Sequence, residues 1–220
     1  MLIALEGGDG VGKATQTKLL AERINRVGRE AVIYSFPRYE TEIGKAILRH
    51  LKNETYLADN TNISRDKWPA AAAEDAMMFQ ALCAIDKYEV AGDIRAHLRA
   101  GRFVICDRWT PSGIAFGSAD GIDPKWLRKI QEQLPAADLN LWLNIPEEEA
   151  LRRRPQLRDR YEKDRNKQAA VRAQYELLWN EHAFPNDSQW IKIDGTGTVD
   201  EVHARIWECV REAARARGMA

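Results

Sequence analysis

The sequence predicts an α/β fold in which a five-stranded parallel sheet is wrapped by helices. Short apolar runs alternate along the chain with longer segments of helical periodicity, a pattern typical of parallel strands joined by crossover helices. A glycine-rich turn at residues 7–12 also separates the first apolar run from the first helical segment. Because no repeat or low-complexity linker interrupts this alternation, residues 1–220 are predicted to form one domain.

Five strands are predicted where apolar or alternating residues are bounded by turn residues. They cover residues 2–6, 31–36, 103–106, 139–144 and 190–193. The first run stops at glycines, the second at Pro37 and the third at Asp107. The helical segments between these runs are long enough to cross from one parallel strand to the next.

Helices are predicted at residues 13–27, 41–52 and 70–100, after Asp123, after Pro146, and from residue 199 to near the end of the chain. Gly101 is the expected stop of the long third helix. Asp123 followed by Pro124 is a typical helix start, with a capping carboxylate and a proline at the first helical position. Residues 53–69 are polar and are predicted to form an irregular surface insertion.

The composition excludes several classes of protein. Lys and Arg together number 33, as do Asp and Glu, so a chain-wide basic surface for nucleic acid is not expected. The apolar runs are too short to span a membrane, and the first residues carry no basic leader. Cys83, Cys106 and Cys209 form no CxxC pair, and the four histidines have no ligand-like spacing. We therefore expect a cytoplasmic protein without disulfides or zinc.

The strongest local signal is a phosphate-binding loop. Residues 7–13, GGDGVGK, match the pattern G-x-x-x-x-G-K directly after a strand and before a helix. Glycines let successive backbone N–H groups point inward, where they and the positive helix end bind phosphate oxygens, and Lys13 adds a point charge. The predicted ATP-binding residues are Gly7, Gly8, Asp9, Gly10, Val11, Gly12, Lys13, Ala14 and Thr15.

The loop departs from the usual pattern at the position after the lysine. A Ser or Thr hydroxyl normally reaches Mg²⁺ there, whereas this chain has Ala14, with Thr15 one residue later. A methyl group does not bind a metal, and Thr15 points about 100° further round the helix. We therefore expect Mg²⁺ to be held by water, phosphates and carboxylates, a common mode for this ion.

Further segments narrow the class of phosphate-binding protein. The segments are FPR at residues 36–38, DRWTPSG at 107–113, LPAADL at 134–139 and RDRYE at 158–162. In this order, and together with the loop, they resemble the thymidylate kinase family over nearly the whole chain. The resemblance implies the fold of P-loop nucleoside monophosphate kinases. It also implies ATP-dependent phosphorylation of dTMP to dTDP on the route to dTTP, with Mg²⁺ as cofactor, and a homodimer formed through helices beside the sheet.

The resemblance also implies roles for individual residues. Asp9 would contact the acceptor or the metal, Asp107 would lie near the metal, and Glu162 would approach the metal or the acceptor. Arg38 and Arg108 would grip the acceptor phosphate, which suits the planar fork of arginine. The residues expected around the nucleoside are Phe36, Ser112, Gly113 and Phe116. Each of these roles has a structural alternative. Asp107 and Arg108 could form a local ion pair at the end of a strand, and Arg38 could be a solvated residue of a turn.

The base pocket is where the chain departs from this family. The family has Phe four residues before Arg on the long helix, where this chain has Cys83 and Lys87. Phe79 shares a helix face with both of them. We predict that Phe79 or another aromatic residue stacks on the base. Lys87 is predicted to contact the base through a single ammonium group, without the paired hydrogen bonds of a guanidinium, and Gln80 is a further candidate for a hydrogen bond to the base edge. The alternative is that Phe79 belongs to the core.

A basic lid is predicted near residues 152–162. Residues 152–167 carry eight basic and three acidic side chains. Arg154 and Arg158 are the predicted catalytic arginines of this lid, together with Lys13, Asp9 and Arg108 elsewhere in the chain. A closed lid excludes water and brings positive charge to the transferred group. Arg165 and Lys167 are expected on a solvated helix face.

Two other functions are compatible with parts of this pattern. One is a kinase for another deoxynucleotide, such as dUMP or a modified pyrimidine nucleotide. The other is an NTP-binding switch that has a phosphate loop and no acceptor. The arginines of the segments at 36–38 and 107–113 disfavour a switch, because a switch has no need of a second phosphate site.

Overall fold

Five strands form one parallel sheet, as the sequence predicts. The structure is a computed structural model that describes residues 1–52, 69–153, 160–181 and 188–219. The strands are β1 (Leu2–Glu6), β2 (Ala31–Ser35), β3 (Phe103–Asp107), β4 (Leu139–Asn144) and β5 (Gln189–Asp194). Their order across the sheet is β2-β3-β1-β4-β5, and every neighbouring pair is parallel. The five predicted strands are confirmed, with ends that differ by one residue at most.

β1 lies at the centre of the sheet, and its two faces supply two separate apolar clusters. Ile3 and Leu5 pack against the helices on one face, and Leu2 and Ala4 against those on the other. This alternation follows from the two-residue period of a strand. Because both faces are covered, β1 is apolar at four consecutive positions before Glu6.

Nine helices surround the sheet in the described part of the chain. They are α1 (Lys13–Arg26), α2 (Glu42–Leu51), α3 (Pro69–Arg99), α4 (Thr110–Ala119), α5 (Pro124–Lys129), α6 (Glu147–Arg152), α7 (Arg160–Lys163), α8 (Arg165–Asn180) and α9 (Val199–Ala216). The six predicted helices are present, and Asp123 caps α5 by accepting a hydrogen bond from Lys125 N at 2.8 Å. None of the described helices combines the length and the apolar character needed to cross a membrane.

The sequence patterns predict no helix for α4 or α7 and no full helix for α8. The sequence of α4, TPSGIAFGSA, lacks a polar face because most of its residues are buried, so the helical period that marks a surface helix is missing. α8 packs against α4, and the two helices share an apolar cluster that includes Ile114 and Tyr175. The predicted insertion at 53–69 lies outside the described residues, except for Pro69, which begins α3.

Candidate active site

The loops that follow β1, β2 and β3 meet at the carboxyl end of the sheet. β1 is paired with β3 on one side and with β4 on the other, so connections leave this point in opposite directions. Open parallel sheets bind ligands at such a switch in strand order.

The loop between β1 and α1 has the backbone shape of a phosphate-binding loop. Gly7, Gly10 and Gly12 have φ values of 132°, 78° and 98°, a region that residues with a side chain rarely adopt. α1 begins at Lys13, and no side chain caps its first turn. The N–H groups of that turn are therefore available to bind an anion.

Lys13 is folded back onto the loop. Its ammonium donates hydrogen bonds to the carbonyl oxygens of Gly7 at 3.2 Å and Gly8 at 2.6 Å, and the residue is only 7% exposed. Burial, followed by the positive charge of Arg108, lowers the pKa of Lys13 to about 8. An anion beside this ammonium would reverse the trend, because a negative neighbour favours the protonated form.

Arg108 joins the segment after β3 to the phosphate-binding loop. Its guanidinium donates to the carbonyl oxygen of Gly7 at 3.0 Å and forms an ion pair with Asp9. The guanidinium also lies 4.8 Å from the ring centre of Phe116. The backbone of Arg108 has a φ of 69°, a strained value for a residue with a long side chain.

A buried carboxylate, Glu6, holds this segment in place. Its oxygens accept hydrogen bonds from Trp109 N at 2.7 Å, from the Ser112 hydroxyl at 2.5 Å and from the Tyr175 hydroxyl at 2.9 Å. Burial raises the pKa of Glu6, and the hydrogen bonds and the charge of Arg108 oppose this shift. Glu6 therefore connects β1, α4 and α8 behind the loop.

Two adjoining cavities open at this end of the sheet. The first, which we call the inner cavity, is lined by Asp9, Phe36, Pro37, Tyr39, Leu51, Phe79, Gln80, Cys83, Asp86, Lys87, Arg108, Ser112, Gly113, Phe116 and Tyr161. The second, which we call the outer cleft, is lined by residues 9–16 of the loop and α1, residues 33–40, Asp107, Arg108, Glu149, Arg153, Glu162 and residues 197–199 and 202. Asp9 and Arg108 line both.

The inner cavity gathers most of the residues predicted to bind the acceptor. Nine of the ten line it: Phe36, Phe79, Gln80, Cys83, Lys87, Arg108, Ser112, Gly113 and Phe116. The predicted ATP-binding residues from Asp9 to Thr15 line the outer cleft. Gly7 contributes its carbonyl oxygen to Lys13 and Arg108, and Gly8 lines a smaller pocket beside β4.

Arg38 is the exception among the predicted acceptor residues. It lines the outer cleft, and its side chain is bound to α3. Its Nε donates to Asp86 Oδ1 at 2.9 Å, its Nη2 donates to Asp86 O at 2.8 Å, and it also forms an ion pair with Glu89. In the structure Arg38 therefore links the end of β2 to α3, and the alternative that it is a solvated turn residue is wrong.

Phe79 belongs to the core, as the alternative interpretation held. Its ring lies parallel to His50, with ring centres 4.2 Å apart, and nearly parallel to Tyr161, with ring centres 5.7 Å apart. The residue is 5% exposed and packs with Ile47 and Leu51. A base cannot stack on a ring whose surface is covered in this way, so Phe79 contributes only part of the cavity wall.

The three predicted metal-binding carboxylates line the outer cleft without forming a cluster. Asp9, Asp107 and Glu162 all face it, yet no group of three or more His, Cys, Asp or Glu residues suited to a metal occurs among the described residues. Asp9 is also engaged by Arg108 and accepts a hydrogen bond from Gln168 Nε2 at 3.1 Å. This donor set fits Mg²⁺ bound largely through water and phosphate oxygens.

The predicted lid is described only at its two ends. Arg154 and Arg158 lie outside the described residues. Arg165 is exposed, as predicted. The solvated position predicted for Lys167 is wrong, because its ammonium pairs with Asp120 Oδ1 at 2.5 Å and donates to Ala119 O at 2.7 Å.

Several residues of the site were missed by the sequence analysis. Glu6 had one available signal, a carboxylate at the end of an otherwise apolar strand. Tyr175 and Gln168 lie on α8, whose full extent was not predicted, and Gln168 links Asp9 to the carbonyl oxygen of Tyr161. Gln131, behind the inner cavity, lies outside every motif, and no feature of the sequence marks it as a residue of the site.

Comparisons with known proteins agree on one family. A family model described as thymidylate kinase matches residues 5–206. The thymidylate kinase of Arabidopsis thaliana is 30% identical over 214 residues, which are 97% of this chain and 72% of the relative. That of Plasmodium falciparum is 29% identical over 93% of this chain and 86% of the relative. The solved structure of thymidylate kinase from Candida albicans superposes with a TM-score of 0.75 at 26% identity, covering 96% of this chain and 91% of that one.

Proposed function

The chain belongs to the thymidylate kinase family, and from that membership we propose that it transfers the γ-phosphoryl group of ATP to dTMP. The observation that carries the proposal is the pair of adjoining cavities that share Asp9 and Arg108. A phosphoryl transfer needs two phosphate-bearing substrates that approach each other in line. A cavity directly beside a phosphate-binding loop, lined by both apolar and polar side chains, has the position for a nucleotide acceptor.

The outer cleft receives ATP. The backbone N–H groups at the start of α1 bind its phosphates, and Lys13 exchanges its contacts with the loop carbonyls for contacts with phosphate oxygens. An oxygen of the acceptor phosphate then forms a bond to the γ-phosphorus as the bridging oxygen leaves with ADP. The fixed positive charge of Lys13 and Arg108 stabilises the negative charge of both reactants during this step.

The inner cavity receives dTMP with its phosphate at Arg108. The guanidinium is held by Asp9 and Gly7 at the boundary of the two cavities, so its position is fixed before the substrate binds. Arg38 acts through Asp86, since their ion pair holds the end of β2 against α3. Phe36, Ser112 and Gly113 line the nucleoside site, and Phe116 lies beside the sugar.

Mg²⁺ is the cofactor that the donor set fits. Asp107, Asp9 and Glu162 would hold the ion through water molecules in the outer cleft, since Ala14 offers no ligand. When bound, the ion neutralises charge on the phosphates of ATP. Arg154 and Arg158 would add positive charge from the lid, and Tyr161 would extend the apolar wall that excludes water from the inner cavity.

The product of this reaction, dTDP, is an intermediate in dTTP synthesis. We propose that the reaction takes place in the cytoplasm. All three cysteines are free thiols, and this state is normal in a reducing compartment.

An acceptor panel tests the proposed reaction. We expect ATP consumption, followed through ADP release, to depend on an added acceptor and to be faster with dTMP than with dGMP or AMP. Lys13→Met should lower kcat by about 100-fold or more, because the phosphates lose their buried cation. Lys18→Met, at an exposed position of the same helix, is the matched control. Acceptor-independent hydrolysis, or a preference for dGMP or AMP, would contradict the proposal.

A substitution at Arg108 tests the acceptor phosphate site. Arg108→Lys keeps the positive charge but loses the planar guanidinium, which can donate two parallel hydrogen bonds to a phosphate. The value of kcat/KM for dTMP should therefore fall by about 100-fold, while the KM for ATP changes much less. Arg95→Lys, an exposed arginine of α3, is expected to behave as wild type. Unchanged kinetics for dTMP in a variant with normal thermal unfolding would remove Arg108 from this role.

The pH dependence of ATP use reports on Lys13. Its pKa of about 8 in the free protein means that the ammonium loses its proton above that pH. The value of kcat/KM for ATP should therefore decrease about tenfold per pH unit beyond pH 8, while kcat holds to higher pH because bound phosphates retain the proton. In Lys13→Arg the residual activity should lack this decrease. If kcat/KM for ATP stayed constant up to pH 9.5, the pKa of Lys13 in the free protein would not lie near 8.

We also propose that the protein forms a homodimer through the exposed face of α3. Met78, Ile85 and Tyr88 are exposed apolar residues of this helix, and their spacing of seven and three residues puts them on one face. An apolar stripe of this kind on a surface helix marks an interaction surface. The other face of α3 packs on the sheet through Val90, Ala91 and Ile94.

Light scattering in solution tests the dimer. Ile85→Glu introduces a charge into the stripe, at a residue that is 45% exposed, and should convert a dimer into a monomer. Leu177→Glu is the matched control, since Leu177 is 48% exposed on α8, and its mass should equal that of wild type. A monomeric wild-type protein at micromolar concentration would contradict the proposal.

A further inference from the structure

Part of the inner cavity wall consists of buried polar groups whose hydrogen-bonding capacity is not filled. Gln80 and Lys87, both on α3, line the cavity and are each only 3% exposed. Between them in the sequence lies Cys83, whose pKa is raised to about 12 by burial, so its thiol stays neutral. The family pattern has an aromatic ring and a guanidinium at the positions of Cys83 and Lys87, and here the wall has an amide, a thiol and an ammonium.

Lys87 has more donors than the protein satisfies. Its Nζ donates to Gln131 Oε1 at 3.1 Å, and this is its one hydrogen bond to a described residue. A lysine ammonium carries three N–H donors. Burial lowers the pKa of Lys87, and the nearby acidic groups, among them Glu6 and Asp86, oppose this shift. A buried cation that lines a cavity with two unused donors is suited to a ligand with acceptor atoms.

Gln131 fixes the position of that ammonium. Its side chain is buried, and its Nε2 donates to the carbonyl oxygen of Leu127 at 3.0 Å. This bond leaves Oε1 directed at Lys87. The side chain also fills the space in front of Gly113, where an added Cβ would lie 2.7 Å from Oε1. Gly113 therefore leaves room for Gln131 behind the wall of the inner cavity, where it contacts Lys87.

Gln80 supplies a second unsatisfied group. Its Nε2 is buried and has no hydrogen-bond partner in the described structure. An unpaired buried amide is destabilising, and a ligand in the cavity can supply the partner that the described residues do not. A carboxamide presents both a donor and an acceptor.

The position of these groups relative to Arg108 indicates which part of a ligand they contact. Arg108 and Asp9 stand at the boundary with the outer cleft, whereas Gln80 and Lys87 line only the inner cavity. A nucleotide whose phosphate is at Arg108 therefore extends its base into the part of the cavity that Gln80 and Lys87 enclose.

We propose that Gln131 is a positioning residue that sets base specificity through Lys87, and that Gln80 completes the recognition. Held by Gln131, the ammonium donates to the carbonyl oxygen at C4 of the pyrimidine, and the carboxamide of Gln80 bonds the base edge. A cytosine base presents an amino donor at C4, which faces the ammonium unfavourably. This inference rests on the proposed nucleotide acceptor, and it adds the residue of this chain, Gln131, through which Lys87 distinguishes a carbonyl from an amino group at C4.

The test compares dUMP with dCMP, which differ only at C4 and in the proton on N3. The readout is the ratio of the two kcat/KM values, or of inhibition constants against dTMP where turnover is too slow. Lys87→Met should lower the preference for dUMP about 10-fold to 100-fold, and Gln131→Met about tenfold. Gln133→Met, at an exposed position two residues further on, is the matched control.

A double-mutant cycle separates positioning from a general structural effect. If Gln131 acts through Lys87, Gln131→Met should have no further effect on the ratio in a Lys87→Met background. An equal effect in both backgrounds, or an unchanged ratio in Gln131→Met with an unchanged KM for ATP, would overturn the positioning role. An unchanged ratio in Lys87→Met would overturn the base recognition as a whole. Each of these results leaves dTMP phosphorylation by the wild-type protein intact, and loss of that activity would instead refute the proposed function.

Discussion

The rest of the site depends on the contact between Arg108 and the phosphate-binding loop. The loop follows β1 and Arg108 follows β3, and these two strands are paired in a register that sets Leu5 opposite Asp107. The N–H of Arg108 donates to Leu5 O at 3.0 Å, so pairing continues past the end of β3. The guanidinium then returns to Gly7 and Asp9. Two loops that are about 100 residues apart in the chain thus become one surface.

This arrangement is maintained at a cost in backbone strain and in buried charge. A φ of 69° at Arg108 is held by contacts on both sides of the residue: Arg108 N donates to Leu5 O, and the next residue, Trp109, donates through its N–H to Glu6. Lys13 lies close enough to Arg108 for the two cations to repel, which contributes to the low pKa of Lys13. A phosphate between them would relieve the repulsion. The zero net charge of the chain therefore conceals a local concentration of cations and carboxylates at the carboxyl end of the sheet.

The sequence predicts the parts of this structure that follow from local rules, and it does not predict those that depend on packing. β1, the glycine loop and the capping of α5 by Asp123 each follow from residue types at fixed spacing. α4 was not predicted because a helix that is buried on most sides has no polar face to mark its period. Phe79 was placed near the base from its helix face alone, and only the structure shows His50 and Tyr161 against its ring.

The inner cavity shows why motifs identify the reaction better than the substrate. Phosphate chemistry is the same for every acceptor, and the residues proposed to serve it, Lys13 and Arg108, lie in segments with a fixed pattern. A base is recognised by whatever side chains fill the far wall, and these come from different elements. Gly113 on α4 leaves space that Gln131, in the turn after α5, occupies. The motifs do not predict that Gln131 lies behind this cavity, because its position depends on the absence of a side chain at Gly113.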